Sequence, residues 1–186
     1  LRDRFKAFCA ERPVGSKFAH RATDGPAGSS PSMKWVNPPV AWMMHAGVPR
    51  LLEAGARFPG LGGPTGSARV ALEGYPGLLA RDEIGRRSYK ADDVARQTDD
   101  RRAAREALLH RLATQGSARL GLRLVLSVDQ VAALLTDATG DSLDAVLCLL
   151  LAAWAEQRKD STPGPGYGLP PTMDSLEGWI VAAAPI

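Results

Sequence analysis

The run from Ala145 to Ala155, uninterrupted by any charge, constrains this chain more than any other feature. It is far shorter than the roughly 18 apolar residues that a membrane-crossing helix needs. Gly140 breaks whatever precedes it and Asp141 opens a new element, so the most apolar helix of the chain is predicted over Ser142 to about Arg158. Around this helix the composition is that of one ordinary domain spanning 1–186, with 45% hydrophobic and 23% charged residues. The apolar fraction excludes a disordered chain. Lys+Arg 23 against Asp+Glu 20 leaves +3, which excludes a polybasic binder. Two cysteines, Cys9 and Cys148, make neither a disulfide framework nor a zinc site, so a reducing, cytoplasmic setting is expected. The chain opens Leu-Arg-Asp-Arg, without Met or a signal pattern, and is expected to be part of a longer protein.

Helices are predicted over Arg2 to Glu11, from Pro38-Pro39 through His45 with a restart at Pro49, after Pro76 to Asp82, and from Thr98 as N-cap. Ser127 with Gln130 is a capping box opening a further helix to about Asp137. Strands are predicted at Arg69 to Gly74, Leu120 to Leu126 and Glu177 to Ala183. Residues 13–39 form a long loop dense in reactive groups and anchored by Phe18, Met33 and Trp35, a length uncommon unless it is functional or disordered. Gly60 to Gly66 and 161–172 read as Pro/Gly linkers. This order predicts an α/β fold with too few strands for its helices.

Two carboxylate placements stand out. Asp141 and Asp144 lie three residues apart and so share a helix face, an arrangement suited to a hard divalent ion. The same pair also suits plain helix capping, with Asp141 as N-cap and Asp144 favouring the helix dipole. Glu73 sits inside an apolar run just before Gly74-Tyr75-Pro76, where burial would demand a partner; a wet strand end would serve equally.

As a set, Val70-Ala71-Leu72-Glu73-Gly74-Tyr75-Pro76-Gly77, Ser88-Tyr89-Lys90 and Gly140-Asp141-Ser142-Leu143-Asp144-Ala145-Val146-Leu147-Cys148 resemble a family of uncharacterised bacterial proteins with a predicted RNase H-like nuclease fold. The final motif is similar to that of Holliday-junction resolvases of the RuvC type. The resemblance runs from about Phe5 to Ile186. It implies an RNase H-like mixed sheet flanked by helices. It also implies Mg²⁺ or Mn²⁺ held by Glu73, Asp141 and Asp144, and hydrolysis of DNA or RNA phosphodiesters by metal-activated water. The family's first-strand Asp has no counterpart here, so an N-terminally incomplete copy is expected, with the first strands upstream of Leu1.

In the long loop, His20 and Arg21 are candidates for proton transfer and phosphate clamping, against a simple hydrogen-bonded turn at Asp24-Gly25. Lys90 is a candidate phosphate contact, within a modest basic strip of Arg81, Arg86, Arg87 and Lys90. Ser29 and Ser30 lack a nucleophile-elbow context, which excludes a serine hydrolase. The competing expectation is a non-catalytic RNase H-like scaffold or interaction protein. An actin-like ATPase ranks below both, because no Gly-rich phosphate-binding strand pair is visible. Nucleic acid is the expected partner, no membrane is, and an uncovered sheet edge would encourage a homo-oligomer.

Overall fold

In the computed structural model, which describes residues 2–13, 16–36, 39–64 and 66–185, the apolar run is indeed a helix, and its pattern explains the packing around it. The helix spans Asp141–Glu156. Leu143, Leu147, Leu150 and Leu151 recur at helical spacing and are buried. Six other α-helices are described: α1 (Arg2–Ala10), α2 (Asp24–Ala27), α3 (Val40–Glu53), α4 (Pro76–Ile84), α5 (Asp99–Thr114) and α6 (Val128–Thr136), so the apolar helix is α7. None of the described helices is long and apolar enough to cross a membrane.

The chain divides into two compact units. The first comprises Leu1–Glu73, Thr162–Pro165 and Leu169–Ile186, and the second Gly74–Ser161 with Gly166–Gly168. The second unit is a helical cluster in which α4 packs on α5 and α7, and α5 on α6. Leu78, Leu79 and Ile84 of α4 and Leu108, Leu109 and Leu112 of α5 are buried in this cluster. Each such buried leucine contributes on the order of 1.5–3 kcal/mol of transfer free energy. Pro76 at the start of α4 supplies a preset helical φ. Ser127 and Gln130 form the expected capping box of α6.

In the first unit residues 16–36 of the loop are folded by aromatic contacts. Phe5 of α1 meets Trp35 at 5.5 Å and Trp42 of α3 at 5.6 Å between ring centroids, and Phe18 meets Trp35 at 4.8 Å, all edge-on. Pro49 lies inside α3 and does not divide it. The predicted start of that helix at Pro38 lies outside the described residues.

The expected RNase H-like α/β sheet is contradicted: the described residues are helical, and no strand or sheet forms among them. Four isolated bridges stand where strands were expected or nearby. Arg69–Gly74 is extended but is bridged only through Val70 to Arg57 and Glu73 to Ile180. At 177–183 the backbone turns: Gly178 and Ala182 have φ of 72° and 63°, and the Ala183 N–H donates to Ile180 C=O, which ends any pleat. At 120–126 the chain folds back on α5, with Gly121 N–H on Ser117 C=O and Leu124 N–H on Leu112 C=O. Apolar, β-branched composition is therefore present in these segments without ladder partners.

The first turn of α7 also departs from expectation. Asp141 makes no side-chain cap. The cap is Asp137, whose carboxylate accepts from Thr139 Oγ1 at 2.6 Å, from the Gly140 N–H at 3.2 Å and from the Ser142 N–H at 2.8 Å. The Thr139 hydroxyl first, then these backbone donors, hold the Asp137 pKa well below the usual aspartate range. Because the folded value is depressed, its contribution is complete above the ordinary aspartate pKa of about 4 and is lost as pH falls through the folded value. Asp137→Ala is expected to lower stability by about 1–2 kcal/mol at neutral pH, measured by urea unfolding, with the gap to wild type closing in acid. An unchanged midpoint would show that α7 does not depend on this cap.

Candidate functional site

The six residues singled out in the sequence divide between the units: His20, Arg21 and Glu73 lie in the first, and Lys90, Asp141 and Asp144 in the second.

In the first unit, the turn before α2 places Arg21 over its own backbone partner: the Arg21 N–H donates to Asp24 Oδ2 at 2.8 Å. The guanidinium reaches the end of the extended segment and grips Glu73 with both Nη groups at 2.7 Å. Nη2 also meets Asp24 at 3.0 Å, and Nη1 the Glu177 carbonyl at 3.0 Å. All four Nη hydrogens are thus committed. Burial works against the Arg21 charge, but the hydrogen bond and charge of Glu73, followed by those of Asp24, more than offset it and hold its pKa above the ordinary value. Nε is buried without a partner among the described residues. The arrangement is a charge cluster that holds a loop to the 69–73 segment, with no Nη donor left over for a phosphate. His20 is exposed, and no hydrogen bond joins it to another described residue.

In the second unit, Asp144 stands in the first turn of α7, half-buried between Leu143 and Leu147. A carboxylate there requires compensation, and the segment after α4 supplies it. Tyr89 Oη donates to Asp144 Oδ1 at 2.5 Å, and Lys90 Nζ pairs with Oδ2. Lys90 comes this close because position 140 is glycine: a Cβ there would stand 2.6 Å from Lys90 Cβ, and Gly140 also has φ of 75°. Burial first, then the Asp144 bond and charge, push the Tyr89 phenol well above its ordinary pKa, so it remains a donor. Burial, with the Asp144 charge second, likewise raises the Cys148 thiol and keeps it unreactive.

Arg105 fixes Tyr89 from behind. Its side chain is buried on α5, with Nη1 on the Tyr89 carbonyl at 2.8 Å and Nη2 on the Leu135 carbonyl at 3.0 Å. Burial, then repulsion from Arg102, lowers the Arg105 pKa. Arg101 bonds Ser88 Oγ at 2.7 Å and also the Lys90 carbonyl. Tyr89, Lys90 and Asp144 border a cleft of about 240 Å³, lined also by Tyr75, Pro76, Gly77, Arg87 and Ser88. Sequence reasoning missed Arg105, Asp137 and Arg101. Arg105 carried a signal, for it occupies the first position of the apolar stripe continued by Leu108, Leu109 and Leu112.

The expected metal does not fit the described residues. No group of three His, Cys, Asp or Glu side chains converges among them. Both oxygens of Asp144 are engaged by Tyr89 and Lys90, both oxygens of Glu73 by Arg21, and Asp141 is exposed. Hard divalent ions need more oxygen ligands than Asp141 alone provides.

No family model matches the chain, and neither a curated protein nor a solved structure matches it.

The Glu73 grip predicts a stability effect rather than a reactive carboxylate. Glu73→Gln leaves the Arg21 guanidinium, 10% exposed, short of one charged partner. A loss of about 1–3 kcal/mol is expected by chemical denaturation; unchanged stability would show that Glu73 does not hold the loop.

Proposed function

We propose that the chain binds the phosphodiester backbone of nucleic acid in the second unit's cleft, with Arg87 and Lys90 as the phosphate contacts. The observation that supports this reading is convergence: two cations, the first turns of α4 and α7, and the Ser88 hydroxyl border one opening of about 240 Å³. The N-terminus of α4 carries partial positive charge that favours an anion, whereas that of α7 is already capped by Asp137. Arg87 and Lys90 against Asp144 leave one net positive charge, and Arg101 adds to it from behind Ser88. Lys90 is 40% exposed at its side chain, so it can turn from Asp144 to a ligand while Tyr89 continues to satisfy the carboxylate.

This reading retains the nucleic-acid partner that the family resemblance implies. It rests on recognition rather than on cleavage, because the described residues bring together no metal-binding set.

Asp144 makes the test directional. In an anion-binding cleft its charge opposes the ligand, so Asp144→Asn should tighten binding several-fold; as an essential metal ligand, its loss should abolish metal-dependent binding instead. Fluorescence anisotropy with labelled single-stranded and duplex DNA and RNA at low salt measures both. Arg87→Ala and Lys90→Gln are expected to weaken binding, and each to reduce the slope of log K against log salt by about 0.7–0.9. Affinity unmoved by either substitution would contradict the assignment. Cleavage of the same oligonucleotides in Mn²⁺, lost in Asp144→Asn, would add hydrolysis to the cleft.

A further inference from the structure

Helix α3 of the first unit carries an apolar stripe, yet none of its residues is buried. Met44, Val48, Leu51 and Leu52 stand at positions i, i+4, i+7 and i+8, the face that a helix of a folded domain normally covers. Here all four line a cavity of about 500 Å³. Met44, Leu51 and Leu52 remain 38%, 46% and 44% exposed. The other walls come from separate stretches of the same unit and include Leu61, Leu72 and Met173. A concave, mostly apolar space of this volume, walled by several stretches of chain, has the form of a small-molecule site.

The charged residues of the wall select the polar end of a ligand. They are Arg21, Glu73 and Glu177. Arg21 has every Nη hydrogen committed and its Nε is buried, so it holds no open donor for an anion. Asp24 is buried against the same guanidinium, which sets one cation against three carboxylates. Glu177 Oε2 accepts the Ala22 N–H at 3.1 Å, whereas no hydrogen bond from a described residue reaches its Oε1. The excess charge at this end is therefore negative, and one carboxylate oxygen stands ready for a donor. We propose that the cavity binds an amphipathic amine, a single apolar body carrying one ammonium group. The body lies against Leu51, Leu52 and Leu72, and the ammonium donates to Glu177. A carboxylate of the same shape would meet repulsion with no donor to offset it. This inference is independent of the phosphodiester cleft.

Calorimetric titration of the full chain with octylammonium, 1-octanol and octanoate, which share one tail, tests it. The expected result is saturable binding of octylammonium at one site, severalfold tighter than 1-octanol, with octanoate weakest. From butylammonium to octylammonium the affinity should rise by up to about fourfold per methylene. Glu177→Gln keeps an acceptor for the Ala22 N–H, and should weaken octylammonium severalfold while leaving 1-octanol unmoved. Leu51→Asn should weaken both, with helix content by circular dichroism unchanged; if that variant loses its helix, the chain-length series decides the apolar contribution. No saturable binding of octylammonium, octanoate or 1-octanol binding as tightly, or an affinity that Glu177→Gln leaves unchanged would overturn the proposal.

Discussion

The second unit is organised around one carboxylate. Asp144 sits on the most apolar helix of the chain, between leucines that are fully buried, and its charge has to be met there. Each neighbouring feature follows from that demand. Tyr89 and Lys90 take one oxygen each; Gly140 gives Lys90 room to approach; Arg105 anchors the Tyr89 backbone; Asp137 caps the helix that carries Asp144. The cleft is the outer surface of this arrangement. Its cationic rim exists because the segment after α4 must bring charge to the start of α7.

The first unit solves a related problem in the opposite sense. There a cation, Arg21, is the buried group, and Glu73, Asp24 and the Glu177 carbonyl gather around it. Two of the carboxylates sit on separate stretches of chain, so the cluster ties the 13–39 loop to the 69–73 segment. Such pairs contribute little when merely formed at a surface, but breaking one that is buried is costly, since the remaining charge is left uncompensated. Arg21, Asp24 and Glu73 are thereby engaged in holding the loop in place.

Much of the helical order was legible in the sequence, because helix signals are local. Pro76, the Ser127–Gln130 box and the periodic leucines of α5 and α7 each act within a turn or two. The sheet was misread for the complementary reason. Val70–Glu73 and Trp179–Val181 have the composition of strands, yet strand formation needs partners distant in sequence, and only isolated bridges form. The site was legible in part. Lys90 and Asp144 each drew attention separately, but their pairing spans 54 residues and no spacing rule reveals it. Asp141 looked like the cap because it stands at the helix start, whereas Asp137 reaches that position from the preceding turn.

Recognition of a phosphodiester by the Tyr89–Lys90–Asp144 cleft, as proposed, is open to a direct test. Titrating the isotope-labelled chain with a simple dinucleotide, thymidylyl-thymidine, and following backbone amide shifts tests this without any assumption about sequence or cleavage. Binding in the cleft predicts saturable shifts centred on Gly77, Ser88 to Lys90 and Gly140 to Asp144. Shifts confined to the first unit, or none at all, would contradict it.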